Sequence, residues 1–354
     1  MNADKRLAEL LDLVITEGGS DLHICSGAHP MLRVSGALVP IEKYPALTGE
    51  ETEAMLKSIV PEDRWSSFKE KQSIDLSYAH STKNSRFRVN GYYVQGAVAL
   101  AMRLVPREIH TFSELNLPSS LEIFTQREQG FFLVVGPVGQ GKSTTLAAML
   151  DRINDSRTEH ILTIEDPIEY VFTPKRSLIH QREVHIDTPD FKTALQGAFR
   201  EDVDVIMLGE MRDYETISSA VTAAETGHLV LSTLHTNNAA QTIDRIIDMF
   251  PAEQQSQVRV QLAGSLAGIF SQRLIPRVSG GLIPACELLI NNNAVSTLIR
   301  DSLTHEIGTV IQTSSQEGMI DMDRSLADLV RRGEVTVEHA YEHAMDSKTF
   351  ERYL

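Results

Sequence analysis

Apolar residues Leu7, Leu10, Leu11, Val14 and Ile15 recur at helical spacing in the opening segment MNADKRLAELLDLVITEGG, which predicts an amphipathic helix ending at Gly18-Gly19. The chain then alternates short apolar runs with turns, through MLRVSG, SIDLSYA, SRFRVNGYYVQG and AVALAMRLVP. Period-two alternation in SRFRVN puts Arg86, Arg88 and Asn90 on one face and Phe87 and Val89 on the other. These patterns predict a small α+β domain over residues 1–105. The stretch PREIHTFSELNLP, 106–118, carries a proline at each end and reads as an interdomain linker. From residue 131 the pattern changes. FFLVVG, HILTIED, DVIMLGE and HLVLSTLH are apolar runs that each end in a glycine, an acid or a histidine. Uninterrupted runs of this kind belong to a parallel sheet covered on both faces, so 119–354 reads as an α/β domain. After about residue 255 the pattern turns helical, through QVRVQLAGSLAGIFSQRL and on to RSLADLVRRGE.

Composition narrows the function classes. A chain of 354 residues has room for two to three domains at roughly 150 residues each. Its 48 acidic residues exceed its 33 basic ones and leave a charge of −15. That balance argues against coating nucleic acid, which requires neutralising phosphates with Lys and Arg. Two cysteines, Cys25 and Cys286, are too far apart for a CxxC motif. Glu9 and Asp12 interrupt the leucines of the first segment, unlike the apolar core of a signal peptide. No run approaches the ~18 apolar residues of a membrane span. Together these features suggest a reducing cytoplasm, with any membrane contact peripheral.

The strongest chemical signal is Gly136-Pro-Val-Gly139-Gln140-Gly141-Lys142-Ser143, a GxxxxGK[ST] loop between the strand FFLVV and the helix TTLAAMLDRI that begins at Thr144. Glycines let the backbone wrap an anion so that successive N–H groups face a phosphate, and the helix N-terminus adds to that field. Lys142 can reach the β/γ-phosphates of a nucleoside triphosphate, and the Ser143 hydroxyl can ligate Mg²⁺. DVIMLGE delivers Glu210 after four apolar residues, where a Mg²⁺-coordinating acid is expected, with Gly209 at the place of the usual Asp. ILTIEDPIEY offers Glu165, Asp166 and Glu169 at a strand end, either to activate water or as a solvated acidic turn. HLVLSTLH brackets a buried strand with His228 and His235.

Taken together, these boxes resemble the secretion and type IV pilus ATPases, specifically the PilT-like pilus retraction motors. GPVGQGKST resembles the family's Walker A box, ILTIEDPIEY its aspartate box, DVIMLGEMRD its atypical Walker B and TAAETGHLVLSTLHTNNAAQTIDRIIDMFP its histidine box. SDLHICSGAHPMLRVSGAL and QEGMIDMDRSLADLVRRGEV extend the likeness over essentially the whole chain. The resemblance implies a PAS-like N-terminal domain, a RecA-like P-loop domain, ATP and Mg²⁺ as cofactors, and a homohexameric ring. Its implied partner is a pilus platform protein at the cytoplasmic face of the inner membrane, and no nucleic acid is expected. Glu169 would position or activate water with Glu165 in support. Glu210 would hold Mg²⁺ alongside Ser143, and His228 and His235 would couple the γ-phosphate to subunit contacts. Arg88 and Arg103 match arginines that close onto nucleotide, and Arg200 matches an arginine of the same inter-subunit group. An N-terminal extension and a four-cysteine zinc insert, typical of extension ATPases, are lacking here, which favours the retraction branch. Two stretches depart from the pattern. Gln196 stands where the family usually has an arginine, and the helix AVSTLIRD at 294–301 has Ser296 and Thr297 in place of an arginine and an asparagine. These departures keep an accessory retraction or assembly ATPase open as an alternative, with a RecA-like nucleic-acid translocase as a more distant one.

Overall fold

The computed structural model describes residues 3–34, 36–82, 85–106 and 108–354. They divide into two units, one of residues 1–108 with 167–171 and a larger one of 109–166 with 172–354.

The N-terminal unit is built on one antiparallel sheet. Helix α1 (Ala3–Thr16) buries Leu7, Leu10, Leu11 and Val14, the stripe expected from their spacing. It stops where Gly18 takes a φ of +66° and Gly19 N–H returns to Val14 O at 2.8 Å. Strands β1 (Asp21–Ile24), β2 (Met31–Val34) and β3 (Ala37–Pro40) follow. Next come α2 (Gly49–Ile59), α3 (Glu62–Lys71), β4 (Ser73–His80), β5 (Ser85–Val94) and β6 (Ala97–Leu104). Thr48 and Glu51 form a capping box that starts α2. The sheet order is β3-β2-β1-β6-β5-β4. Leu22, Leu76, Phe87, Val89, Leu100 and Met102 point into the core under the helices. The other face carries a cross-strand row in register, Arg33–Asp21–Arg103–Arg88–Ser77.

The larger unit holds β7 (Gly130–Val135), α5 (Lys142–Ser156), β8 (His160–Glu165), β9 (Leu178–Glu183), α6 (Phe191–Ala198) and β10 (Val205–Leu208), after a short α4 (Glu122–Thr125). It continues with α7 (Tyr214–Glu225), β11 (Leu229–Leu234), α8 (Ala239–Asp248) and α9 (Ala252–Ser265). The sheet order is β13-β12-β7-β11-β10-β8-β9, with β12 (Leu266–Pro276) and β13 (Leu282–Ile290) antiparallel to each other and the remaining pairs parallel. Every residue of β7, β10 and β11 is buried, as strands covered on both faces must be. This is the mixed α/β architecture read from the chain.

One expectation is overturned. The segment LAGIFSQRL, read as a continuation of the helix before it, is strand β12, and β13 pairs with it. Helix α9 ends at Ser265, and the next seven residues are all buried. A strand buried on both faces lacks the two-residue alternation that would separate it from a preceding helix.

Helices α10 (Asn293–Arg300), α11 (Ile307–Thr313), α12 (Met322–Arg331), α13 (Val337–His343) and α14 (Ser347–Tyr353) complete the unit. Ser296, on the altered 294–301 stretch, donates to Ala263 O at 2.9 Å and so ties α10 to α9. Met322, Leu326 and Phe350 pack with Ile275, Ile283 and Ala285 of the β12–β13 pair in a separate small core. Both cysteines are free, and burial pushes the Cys286 thiol up to about 12.

Glu287 on β13 is a buried carboxylate that accepts from Ala239 N–H at 2.7 Å, at the start of α8. Burial raises its pKa from 4.5 to about 7; Asp321 and Asp323 add to the rise, and the Ala239 N–H and Arg273 oppose it. Because the folded value is the higher one, the unfolded chain loses this proton first as pH rises, so stability falls through that window. Glu287→Gln keeps an acceptor for Ala239 and removes the charge. Urea unfolding is expected to show the variant more stable than the parent by about 2–3 kcal/mol at pH 8, with the gain vanishing near pH 4. A gain that did not change with pH would mean that Glu287 is not the titrating group.

Candidate active site

Parallel strands that end at one edge bring their following loops together, and the candidate site lies there, beyond the carboxyl ends of β7, β8, β10 and β11. The loop from β7 to α5 turns on Gly136, Gly139 and Gly141, with φ of +145°, +79° and +80°. A Cβ on Gly136 would lie 2.4 Å from the backbone O of Gln272, which excludes a side chain there, and one on Gly141 would lie 2.9 Å from Gln272 Nε2 and displace that amide. Lys142, Ser143 and Thr144 then open α5, whose first N–H groups have no partner within the helix.

Lys142 is 7% exposed. Its ammonium donates to Gly136 O at 2.8 Å and Pro137 O at 2.9 Å, and lies 3.2 Å from His235 Nδ1. An ammonium can only donate, so His235 Nδ1 is an acceptor and the imidazole proton sits on Nε2, 3.8 Å from Glu210 Oε2. Burial, and after it the Lys142 charge, lowers the His235 pKa against the opposing pull of Glu210. His235 is therefore neutral at neutral pH, ready to accept through Nδ1 and donate through Nε2.

Strand β10 ends at Leu208, and Glu210 lies two residues beyond, ion-paired with Arg212. Glu165, the last residue of β8, is 4% exposed and accepts from the Thr163 hydroxyl at 2.7 Å and the Gln181 amide at 3.2 Å. A cleft of about 400 Å³ runs from Glu210 and His235 to Arg245 of α8 and Met249 just past its end. The hydroxyl of Ser143 and the carboxylate of Glu210 are hard oxygen donors, the chemistry that suits Mg²⁺.

Arg88, Arg103 and Glu169 belong to the N-terminal unit. Arg88 Nη1 donates to Glu169 Oε1 at 3.1 Å, and Arg103 Nε to Asp21 Oδ1 at 2.8 Å. His228 does not share the site with His235. Six strand residues separate the two, and Gly130 N–H bonds to His228 O at 3.0 Å, so His228 marks the opposite edge of the sheet. At the rise of an extended strand that is roughly 23 Å away. There its Nδ1 meets Ala223 O at 3.0 Å and its ring stands edge-on to Phe199. Arg200, the residue after Phe199, and Gln196 on α6 are exposed near that same far edge. Sequence reasoning missed Arg212, Gln181, Thr145 and Gln272. The signal for Gln272 was present as a polar residue in an apolar run, hidden by the helical reading of β12.

The family model described as Type II/IV secretion system protein matches residues 3–347. A type IV pilus retraction ATPase, PilT of Pseudomonas aeruginosa, is 42% identical over 97% of this chain and 99% of its own. The type IV pilus ATPase PilU of the same organism is 39% identical over 95% of this chain and 88% of its own. A crystal structure of the pilus retraction motor PilT with bound ADP superposes with a TM-score of 0.90, at 44% identity and 98% coverage of both chains.

Removing the loop's buried cation is expected to abolish tight nucleotide binding. In Lys142→Ala the affinity for a fluorescent ATP analogue should fall about a hundredfold or more, the equivalent of roughly 3 kcal/mol for a charge-assisted bond. Parent-like affinity would remove the phosphate-loop assignment.

Proposed function

The chain belongs to the Type II/IV secretion system protein family and is an ATPase, as its relatives PilT and PilU are named, and from that premise we propose that it is a hexameric motor driving type IV pilus retraction and twitching motility. One observation carries the reading. The likeness to ATPases named for pilus retraction spans the whole chain, N-terminal unit included, and is not confined to the nucleotide-binding core.

In this reading the amides of the 136–141 loop and of the start of α5, with Lys142, hold the phosphates of ATP. Magnesium held by Ser143 and Glu210 supplies neutralisation of the phosphate charge when bound. Glu169 positions or deprotonates the attacking water, and Glu165 supports it. A neutral His235 beside Lys142 suits a group that reports on the γ-phosphate. Arg88 and Arg103 stabilise the transferring phosphoryl group by exchanging their carboxylate partners for phosphate oxygens. The far-edge positions of Arg200 and His228 support a role across a subunit boundary, since their own loop lies at the other end of the sheet. No helix among the described residues is long and apolar enough to cross a membrane. The motor's seat in this reading is the cytoplasmic face of the inner membrane, against a platform protein of the pilus.

A second reading, an accessory retraction or assembly ATPase, draws on the near-equal identity to PilT and PilU and on Ser296 and Thr297. The charge of −15 weighs against a nucleic-acid translocase. A deletion strain separates the first two readings: a primary retraction motor leaves pili on the surface and abolishes twitching. A strain without surface pili would replace retraction by assembly, and a strain that still twitches would favour the accessory role.

Glu169→Gln should keep nucleotide affinity and lose hydrolysis about a hundredfold or more, because an amide cannot accept the proton of water. Steady-state ATPase assays that found Glu165→Gln the more damaging of the two would move the water-activating role to Glu165.

A further inference from the structure

Gln272 stands behind the phosphate loop rather than in it. It lies on β12, 3% exposed, and makes two side-chain hydrogen bonds to the nucleotide-binding machinery. The Thr145 hydroxyl, on α5, donates to Gln272 Oε1 at 2.6 Å. Gln272 Nε2 donates to Gln140 O at 2.7 Å. A carbonyl can only accept, so the amide's NH₂ must face Gln140 and its oxygen must face Thr145, which fixes the orientation of the side chain. The next outward step of β12 adds a second grip: Leu274 N–H donates to Gln140 Oε1 at 2.6 Å. Both glycines at the ends of the loop lie against Gln272, one against its backbone carbonyl and one against its amide.

The bond to Gln140 O has a directional consequence. A trans peptide is planar, with its C=O and N–H pointing opposite ways. Holding the Gln140 carbonyl toward β12 therefore turns the Gly141 N–H away from β12, toward the hollow that the loop encloses. Without that bond the Gln140–Gly141 peptide is free to rotate, since Gly141 already has the left-handed φ that only glycine tolerates freely. A donor aimed before the anion arrives contributes more than one that must be turned on binding.

We propose that Gln272 is a positioning residue for nucleotide binding: its amide holds the Gln140–Gly141 peptide so that the Gly141 N–H faces the phosphate. Thr145 orients the amide and Leu274 anchors the Gln140 side chain. The proposal rests on nucleotide binding at the loop, which Lys142→Ala tests separately.

The test uses the purified full-length protein, MgATP turnover and titration with ADP. Gln272→Leu puts a branched apolar side chain, one bond shorter, in its place and removes both polar contacts. It should raise KM for ATP and Kd for ADP about tenfold or more while kcat stays within about threefold, because a phosphate donor lost from both ground and transition states affects binding alone. A merely structural role would lower kcat through the fraction of folded protein and leave KM unchanged, and that result overturns the proposal. If the leucine variant does not fold, Gln272→Asn keeps an amide one methylene too short for Gln140 O, and the same KM-against-kcat split decides. Gln272→Glu supplies the third measurement. Ionised, the carboxylate cannot donate to Gln140 O; protonated, it can. Its ADP affinity relative to the parent should therefore recover as pH falls from about 8 to about 6, burial raising the pKa of the introduced acid. A ratio that stays flat with pH counts against the proposal.

Discussion

The loop between β7 and α5 lies so close to β12 that a single methyl group at either end would collide with Gln272. Much else follows from that approach. A glycine at 136 lets the chain leave the buried strand and turn at once, and a glycine at 141 lets it enter α5 at a φ of +80° with no side chain against Gln272. The closeness is possible because β12 inserts in parallel beside β7, in register from Ile269–Leu133 to Ser271–Val135. β12 is thus both the neighbour that completes the sheet and the wall against which the phosphate loop is shaped. Arg273, the residue after Gln272 on β12, donates to His343 O at 2.7 Å, so the strand that backs the loop also carries the C-terminal helices.

Parallel topology does the rest of the gathering. β7, β11, β10 and β8 are consecutive neighbours running the same way, so Lys142, His235, Glu210 and Glu165 arrive at one edge from four separate stretches of chain. Each is placed by a short connection from a fully buried strand end, which has little freedom to shift. The histidine-bearing loop is held from behind as well: Ser271 donates to Asn237 O at 2.8 Å, and Glu287 accepts from Ala239 N–H. A buried carboxylate whose pKa reaches about 7 is a costly helix cap. Its place at the start of α8, just after His235, is consistent with precision there outweighing stability.

Much of this was legible in the chain. Runs such as FFLVV and LVLSTL read directly as doubly covered strands, and SRFRVN alternates because one of its faces is exposed. The phosphate loop carries its own signature. What stayed hidden depends on pairings between distant segments. Gln272 and Gln140 are 132 residues apart, and Arg103 and Asp21 are 82 apart. No local pattern announces either contact. Residues 167–171 group with the N-terminal unit although they lie between strands of the larger one, which composition alone would not suggest. The separation of His228 from His235 is different, because it was available from geometry. A six-residue strand between two residues must put them at opposite edges of a sheet, and only their shared motif made them look like partners.

The charged row on the N-terminal sheet shows how similar side chains acquire different freedom. Arg88 and Arg103 are register partners on β5 and β6, and each meets a carboxylate. Arg88 and Glu169 are both about two-fifths exposed, at 43% and 41%, and a pair so open to water contributes about 1 kcal/mol or less. Exchanging that carboxylate for another anion costs little. Arg103 faces Asp21, whose side chain is only 9% exposed. Burial pushes the Asp21 pKa up, but the Ser20 hydroxyl and Arg103 together outweigh it and hold the carboxylate below its ordinary value. Withdrawing Arg103, itself 71% exposed, leaves Asp21 with its Ser20 hydroxyl bond, so the exchange costs more than releasing Arg88 but water screens this pair as well. Of two neighbouring arginines, Arg88 therefore changes partners at the lower cost, and Arg103 is held more firmly to the sheet that carries it.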